Sequence, residues 1–156
     1  MFNFIEKSLE RRSLCKHLFT VGLELSDLSP SIARDIMRIL YRQTATVSKK
    51  YHEPLHVVSE NIICAAAWCI AYCLLGPTRL LDVYPEFKDR TEEAEMELLL
   101  LDSGEANSEN SIYRQIFPIL LDSPHCHPEV KKLYDQVRLS SMTPDSDLAD
   151  SRYLSM

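Results

Sequence analysis

The sequence predicts an all-α fold, a single-domain bundle of five to seven helices, and three observations support this. First, Ile62–Leu75 is a run of fourteen residues without a charge, and Gly76-Pro77 follows it directly. Second, apolar residues elsewhere recur at steps of three and four, which is typical of helices that bury one face. Third, the 156 residues include only 3 Gly and 8 Pro, too few for a β-sandwich or barrel with a turn every ~8–12 residues.

The uncharged run predicts the central helix of the bundle. A helix that is apolar on every side must be surrounded by other helices or by lipid. Fourteen residues span ~21 Å, less than the ~30 Å hydrocarbon core of a membrane. Extension toward the N-terminus meets Asn61 and Glu60, which are costly at bilayer depth. We therefore expect a helix over about 54–75 that is packed by its own chain, and no transmembrane segment.

Residues 2–25 carry helical spacing, with charged residues on the face opposite the apolar one. This pattern predicts a first helix docked on the core. Because its basic residues lie opposite aromatic ones, the alternative is peripheral membrane contact through residues 1–20.

The second helix is the most clearly amphipathic. Ser29 is placed to cap it and Pro30 to occupy its first position. Its outer face carries Arg34, Arg38 and Arg42 at successive four-residue steps, and this basic stripe predicts contact with an acidic partner protein. The alternatives are binding of phosphates, exposure to solvent without a ligand, and pairing with carboxylates of the same fold such as those of Glu92–Glu97; stripes of this kind are more often solvated or paired within their own fold.

The remaining helices are expected at Thr78–Tyr84, at Glu92–Leu101, at Ser111–Leu121 with a kink or end at Pro118, and from Pro128 onward. Four leucines in a row, Leu98 to Leu101, indicate that at least one stays exposed or contacts a partner, and we take Leu98 and Leu101 as candidates for partner contact. Residues 1–139 are predicted to form the domain. The Ser-, Asp- and Pro-rich residues 140–156 are predicted to be a disordered tail, and 103–110 a flexible connection.

His52-Glu53-Pro54-Leu55-His56 resembles the His-Glu-x-x-His signature of zincin metalloproteases. The resemblance implies zinc, with His52 and His56 as ligands and Glu53 as general base; Glu60, one turn further on, would be the third ligand. The sequence departs from the zincin pattern at Pro54, which is tolerated only in the first turn of a helix and so leaves His52 outside it. A helix boundary with structural histidines is the preferred interpretation, and a zinc-dependent hydrolase is the alternative.

The five cysteines are an odd number without Cys-x-x-Cys pairs, which favours reduced thiols and an intracellular location. Cys64, Cys69 and Cys73 lie in the central helix and are expected to pack as small hydrophobes. His125-Cys126-His127 is bracketed by prolines. We interpret this segment as a turn in which His127 caps the last helix, with Cys126 as an exposed thiol.

The net charge of −6 argues against indiscriminate binding to nucleic acid. The leading hypothesis is a non-enzymatic, cytoplasmic protein–protein interaction module without a cofactor. It would be of the adaptor, secretion chaperone, immunity protein or small effector type, and a homodimer is the subsidiary expectation.

Overall fold

The computed structural model describes residues 2–51, 55–102 and 112–142, which form helices and turns without a β-strand. One-turn 3₁₀ helices lie at Leu25–Asp27 and Pro85–Phe87. The all-α prediction is confirmed, and the number of helices in this part of the chain is the upper end of the predicted range. The seven α-helices are α1 Phe2–Phe19, α2 Pro30–Tyr51, α3 Leu55–Leu75, α4 Pro77–Val83, α5 Lys88–Leu99, α6 Ile112–Leu121 and α7 Pro128–Met142.

Helix α3 is the centre of the bundle and contacts α1, α2, α4, α5 and α6. Every residue from 66 to 73 is buried. Trp68 packs on Phe87 with ring centroids 5.2 Å apart, and Tyr72 packs edge-on against Phe117 at 6.3 Å. Burying each such large side chain contributes roughly 1.5–3 kcal/mol to stability. The prediction of a central apolar helix wrapped by its own chain is confirmed.

Helix α1 docks on the core through residues such as Leu18, which is fully buried, but it ends earlier than the predicted residue 25. Gly22 has a φ of +76°, and the N–H groups of Gly22 and Leu23 donate to the carbonyls of Phe19 and Leu18 at 3.0 Å each. These two bonds form a Schellman motif, which ends a helix. The apolar residues beyond Gly22 are buried in a turn, where they produce the same spacing as a helix face.

The corner between α3 and α4 is held by the start of α7. Gly76 ends α3, as predicted, with a φ of +82° that favours glycine. Pro77 has no N–H, so it cannot donate to the carbonyl of Cys73 four residues earlier. The N–H of His127 donates to that carbonyl instead, at 2.7 Å. The His127 ring Nδ1 also accepts the N–H of Glu129 at 3.0 Å, which confirms that His127 caps α7.

The boundaries of α5, α6 and α2 can also be compared with the prediction. Helix α5 begins at Lys88 instead of Glu92, because the 3₁₀ turn that precedes it leads directly into the helix. An ion pair of 3.7 Å between Lys88 and Glu92 spans the first turn. Pro118 does not end α6, which continues to Leu121. Ser29 caps α2 as predicted, with its Oγ accepting the N–H of Ile32 at 3.4 Å.

Helix α7 extends to Met142, past the predicted domain boundary at residue 139. Residues 103–111 and 143–156 lie outside the described part of the chain, so the flexible segment, the tail and the 1–139 domain stay predictions. Across the described ranges, no single helix is both long enough and apolar enough to cross a membrane. The apolar pair formed by Glu60–Leu75 and α4 is bent by 104°.

Candidate interaction groove between α1 and α2

The predicted basic stripe of α2 is exposed along its length, at Arg34, Arg38 and Arg42. Arg38 lies 3.7 Å from Asp35, in an exposed pair of the kind that contributes little energy. In the described ranges, no carboxylate lies at ion-pair distance from the guanidinium of Arg34 or Arg42, and the run Glu92–Glu97 forms its ion pairs within α5. Among the described residues, the charges of Arg34 and Arg42 are therefore not neutralised by an ion pair.

Two of these arginines line a groove of about 430 Å³ between α1 and α2. Arg34 and Arg38 contribute from α2, and Arg11 of α1 adds a third guanidinium. Arg42 is not part of the lining. The residues that line the groove are Arg11, Pro30, Ala33, Arg34, Met37, Arg38 and Tyr41.

Apolar and aromatic side chains complete the groove. Met37 is buried beneath its surface, and Ala33 is half-buried. Burial raises the pKa of the Tyr41 phenol, the neighbouring Glu10 carboxylate raises it further, and Arg11 partly opposes both. Tyr41 is therefore protonated at physiological pH and can donate a hydrogen bond.

Glu10, the acidic residue closest in sequence to Arg11, does not line this surface. Its side chain is buried, and its Oε1 accepts a hydrogen bond of 3.0 Å from the Thr44 hydroxyl of α2. This carboxylate joins α1 to α2, and it is not among the residues that line the groove. The consequence is a positive groove on a chain whose net charge is −6.

The chemistry of the groove is that of an anion-binding surface. A guanidinium presents several N–H donors in a planar fork that fits a carboxylate or a phosphate. Apart from Tyr41, the residues that line the groove offer no nucleophile or general base. The arrangement therefore favours binding over catalysis.

Comparison with known proteins covers the whole chain. No protein-family model, curated protein or solved structure matches it.

Sequence reasoning found Arg34 and Arg38 but missed Arg11, Met37 and Tyr41. Arg11 belongs to a mixed run of charges that is typical of a solvated helix face, and nothing local distinguishes it. The usable signal would have been that α1 must pack beside α2, because this places one charged edge of α1 next to the stripe.

The other predicted contact residues, Leu98 and Leu101, are buried in the core, and Leu98 is 0% exposed. The apolar surface at this point is formed by Met96, Leu99 and Leu100, which are 63%, 38% and 41% exposed. Successive residues of a helix point about 100° apart, so a run of four leucines cannot face one side. The predicted partner contact and homodimer stay predictions, and any contact here would involve these exposed neighbours.

The predicted zinc motif lies mostly outside the described residues. His52 and Glu53 are not described, and position 56 falls in the first turn of α3. Glu60 accepts hydrogen bonds from His17 Nε2 at 2.8 Å and from Ser13 Oγ at 3.1 Å. The bond with His17 lowers the pKa of Glu60, burial opposes this, and the Ser13 bond adds to the lowering. Within the ranges that the structure covers, no group of three or more His, Cys, Asp or Glu side chains is placed to hold a metal.

The prediction that Cys126 is an exposed thiol is wrong. Its side chain is buried, because the main chain of this turn is bonded to the end of α3. Its thiol donates to the His127 carbonyl at 3.8 Å. Cys126, in the turn between α6 and α7, is therefore only 6% exposed.

Proposed function

We propose that this protein is a non-enzymatic, cytosolic protein–protein interaction module that binds an acidic segment of a partner in the groove between α1 and α2. The observation that carries the proposal is the convergence of Arg11, Arg34 and Arg38 on one groove with apolar and aromatic lining. An adaptor, a secretion chaperone, an immunity protein or a small effector could use such a surface.

The groove suggests what the bound segment looks like. Its Asp or Glu side chains would accept from the guanidinium groups, and an intervening apolar side chain would pack beside Met37 and Ala33. Arginine is enriched among the residues that dominate binding energy at interfaces. The arginines belong to two helices that are packed together, so their backbone does not have to become ordered on binding. A smaller loss of conformational entropy favours affinity.

Charge reversal in the groove tests the proposal. The probe is a short fluorescein-labelled peptide of alternating Glu and Leu, titrated with wild type and with Arg34→Glu/Arg38→Glu by fluorescence anisotropy. We expect the reversal to weaken binding more than about tenfold, which corresponds to about 1.4 kcal/mol. Binding to wild type should weaken as salt rises, because the Debye length is only ~10 Å at 0.1 M.

Arg138→Glu is the matched control, because it reverses an exposed arginine of α7 outside the groove. It should leave peptide binding unchanged. The same variants serve as baits in cell extract, where a true partner is lost with the groove variant and kept with the control. If Arg138→Glu weakens the peptide as much as the double variant, general electrostatics explain the binding and the groove assignment is wrong.

The alternative function, a zinc-dependent hydrolase using His52, Glu53 and His56, is favoured by one observation. Glu60, one helical turn beyond position 56, is a metal-capable residue. Its side chain lies 2.8 Å from that of His17, a second metal-capable residue, which belongs to α1. Elemental analysis of protein purified without a histidine tag tests it. Stoichiometric zinc that is lost in both His56→Ala and His17→Ala would support the hydrolase, and metal-free protein would exclude it.

A further inference from the structure

Two cysteines meet where the end of α3 touches the turn before α7. Cys73 lies in the last turn of α3 and is fully buried, while Cys126 is 6% exposed. The main-chain bond of 2.7 Å from the His127 N–H to the Cys73 carbonyl brings the two backbones together. Cys126 directly precedes His127 in the chain, so both cysteines lie at this junction, and each thiol affects the pKa of the other.

Further contacts fix this junction on both sides. The Glu129 carboxylate accepts the main-chain N–H of Thr78 at 3.2 Å and also the Thr78 hydroxyl. A Cβ added at Gly76 would lie 2.9 Å from Glu129 Oε1, so α7 approaches the corner as closely as a glycine permits. These contacts hold the end of α3 and the start of α7 together, and Cys73 and Cys126 both lie at this junction.

The two thiols differ in reactivity. The hydrogen bond from Cys73 lowers the pKa of Cys126, burial opposes this, and Lys131 lowers it further. Burial raises the pKa of Cys73 well above its ordinary value, and it does the same for Cys69. Burial also raises the pKa of Cys64. Because the thiolate is the nucleophile, Cys126 is the residue of this pair that should attack first.

We propose that Cys73 and Cys126 are a redox site that hydrogen peroxide converts into a reversible disulfide. The Cys126 thiolate attacks one peroxide oxygen, the O–O bond breaks, and the hydroxide that leaves takes a proton to become water. Cys126 is then a sulfenic acid. The Cys73 sulfur attacks the Cys126 sulfur, the S–S bond forms, the S–O bond breaks, and a second water leaves with the Cys73 proton. The two thiols lose two electrons in total, and these reduce one peroxide to two waters.

The disulfide would link the end of α3 to the turn before α7, and it would close a long loop of the intervening chain. A crosslink of this kind restricts the unfolded state, so the oxidised protein should unfold at a higher temperature than the reduced protein. This site is separate from the groove between α1 and α2, and neither Cys73 nor Cys126 lines that groove. The result of testing this redox site is therefore independent of the proposed function.

The test uses the folded full chain and near-equimolar hydrogen peroxide. The reaction is stopped with catalase, and the protein is unfolded, alkylated with iodoacetamide, digested and examined by mass spectrometry. We expect a linked peptide pair containing Cys73 and Cys126, about 2 Da lighter than the sum of the reduced peptides, which dithiothreitol separates. The melting temperature should rise on oxidation and fall back on reduction.

Cys126→Ala and Cys126→Ser should both lose the linked pair, while Cys15→Ala, which removes a half-buried cysteine of α1, should keep it. Circular dichroism checks that each variant is folded. The proposal is overturned if Cys73 and Cys126 stay alkylatable while Cys15 or Cys64 is oxidised. It is also overturned if the link forms only in urea, or if Cys126 proceeds to sulfinic acid without linking.

Discussion

The two glycines with positive φ provide a matched test of how tightly α7 is packed against the α3–α4 corner. Gly76→Ala and Gly22→Ala each place a Cβ on a backbone with similar φ, +82° and +76°. At Gly76 the new Cβ would lie 2.9 Å from Glu129 Oε1 and 3.1 Å from His127 Nδ1. At Gly22 it would lie 3.3 Å from the Tyr84 hydroxyl oxygen, the end of a side chain that can shift.

The magnitudes follow from these contacts. A left-handed conformation costs a residue with a Cβ about 1–2 kcal/mol, which applies to Gly22. The ψ of 153° at Gly76 places it in a region that is essentially confined to glycine and costs other residues about 1–3 kcal/mol. At Gly76, Glu129 and His127 must also move, which strains the bonds from Thr78 to Glu129 and from the Glu129 N–H to His127. Each hydrogen bond contributes about 1 kcal/mol net. Gly22→Ala should therefore lower the free energy of unfolding by about 1–2 kcal/mol and Gly76→Ala by about 3–4 kcal/mol.

Urea unfolding followed by far-ultraviolet circular dichroism measures both values. Alanine lowers the conformational entropy of the unfolded chain by a similar amount in both variants. This contribution therefore cancels when their free energies of unfolding are compared. Glu129→Ala removes the side chain that crowds position 76. It should lower the free energy of unfolding less in the Gly76→Ala background than in wild type. Equal destabilisation of Gly22→Ala and Gly76→Ala would refute the close packing of α7 on this corner.

Two further predictions concern side chains that the sequence singled out. Leu98→Ala should lower the free energy of unfolding by about 2–5 kcal/mol because it opens a cavity in the core. Leu99 is half-exposed, so Leu99→Ala should change the free energy of unfolding by less than about 1 kcal/mol. Similar values for the two variants would contradict the assignment of Leu98 to the core. In wild type the hydrogen bond with His17 holds the pKa of Glu60 below its ordinary value, so it contributes stability above the unfolded pKa that is lost as the pH falls through the folded pKa. His17→Ala should raise the Glu60 pKa in an NMR titration and flatten the acid limb of the stability curve, and an unchanged pKa would show that the bond is absent in solution.

Much of the fold could be predicted because the decisive signals are local. An uncharged run that is too short for a membrane defines α3, and the Gly76-Pro77 pair marks its end. The end of α1 could not be found this way, because Val21 and Leu23 are buried in a turn as deeply as helix residues are. The spacing of apolar residues indicates which residues are buried, but it does not distinguish a helix from a turn.

The site was predictable only in part, because it combines two helices that are distant in sequence. Arg34 and Arg38 are marked by their periodicity along α2, whereas Arg11 becomes significant only when α1 packs beside them. The burial of Leu98 and Leu101 could not be predicted for the same reason. Which of the four consecutive leucines face inward depends on the direction from which α3 and α6 approach α5, and this is a property of the tertiary structure.

Arg11 and Arg42 distinguish a groove from a stripe. If an acidic segment lies in the groove, Arg11→Ala should weaken the Glu–Leu peptide by about 0.5–1 kcal/mol, or roughly two- to fivefold, while Arg42→Ala leaves it unchanged. If the segment instead follows the outer face of α2, Arg42→Ala should weaken it and Arg11→Ala should not. Both arginines are exposed on helices where alanine is well tolerated, so neither change should disturb folding. Because each outcome assigns the ligand to a different surface, this pair of variants decides whether the packing of α1 on α2 creates the binding site or only accompanies it.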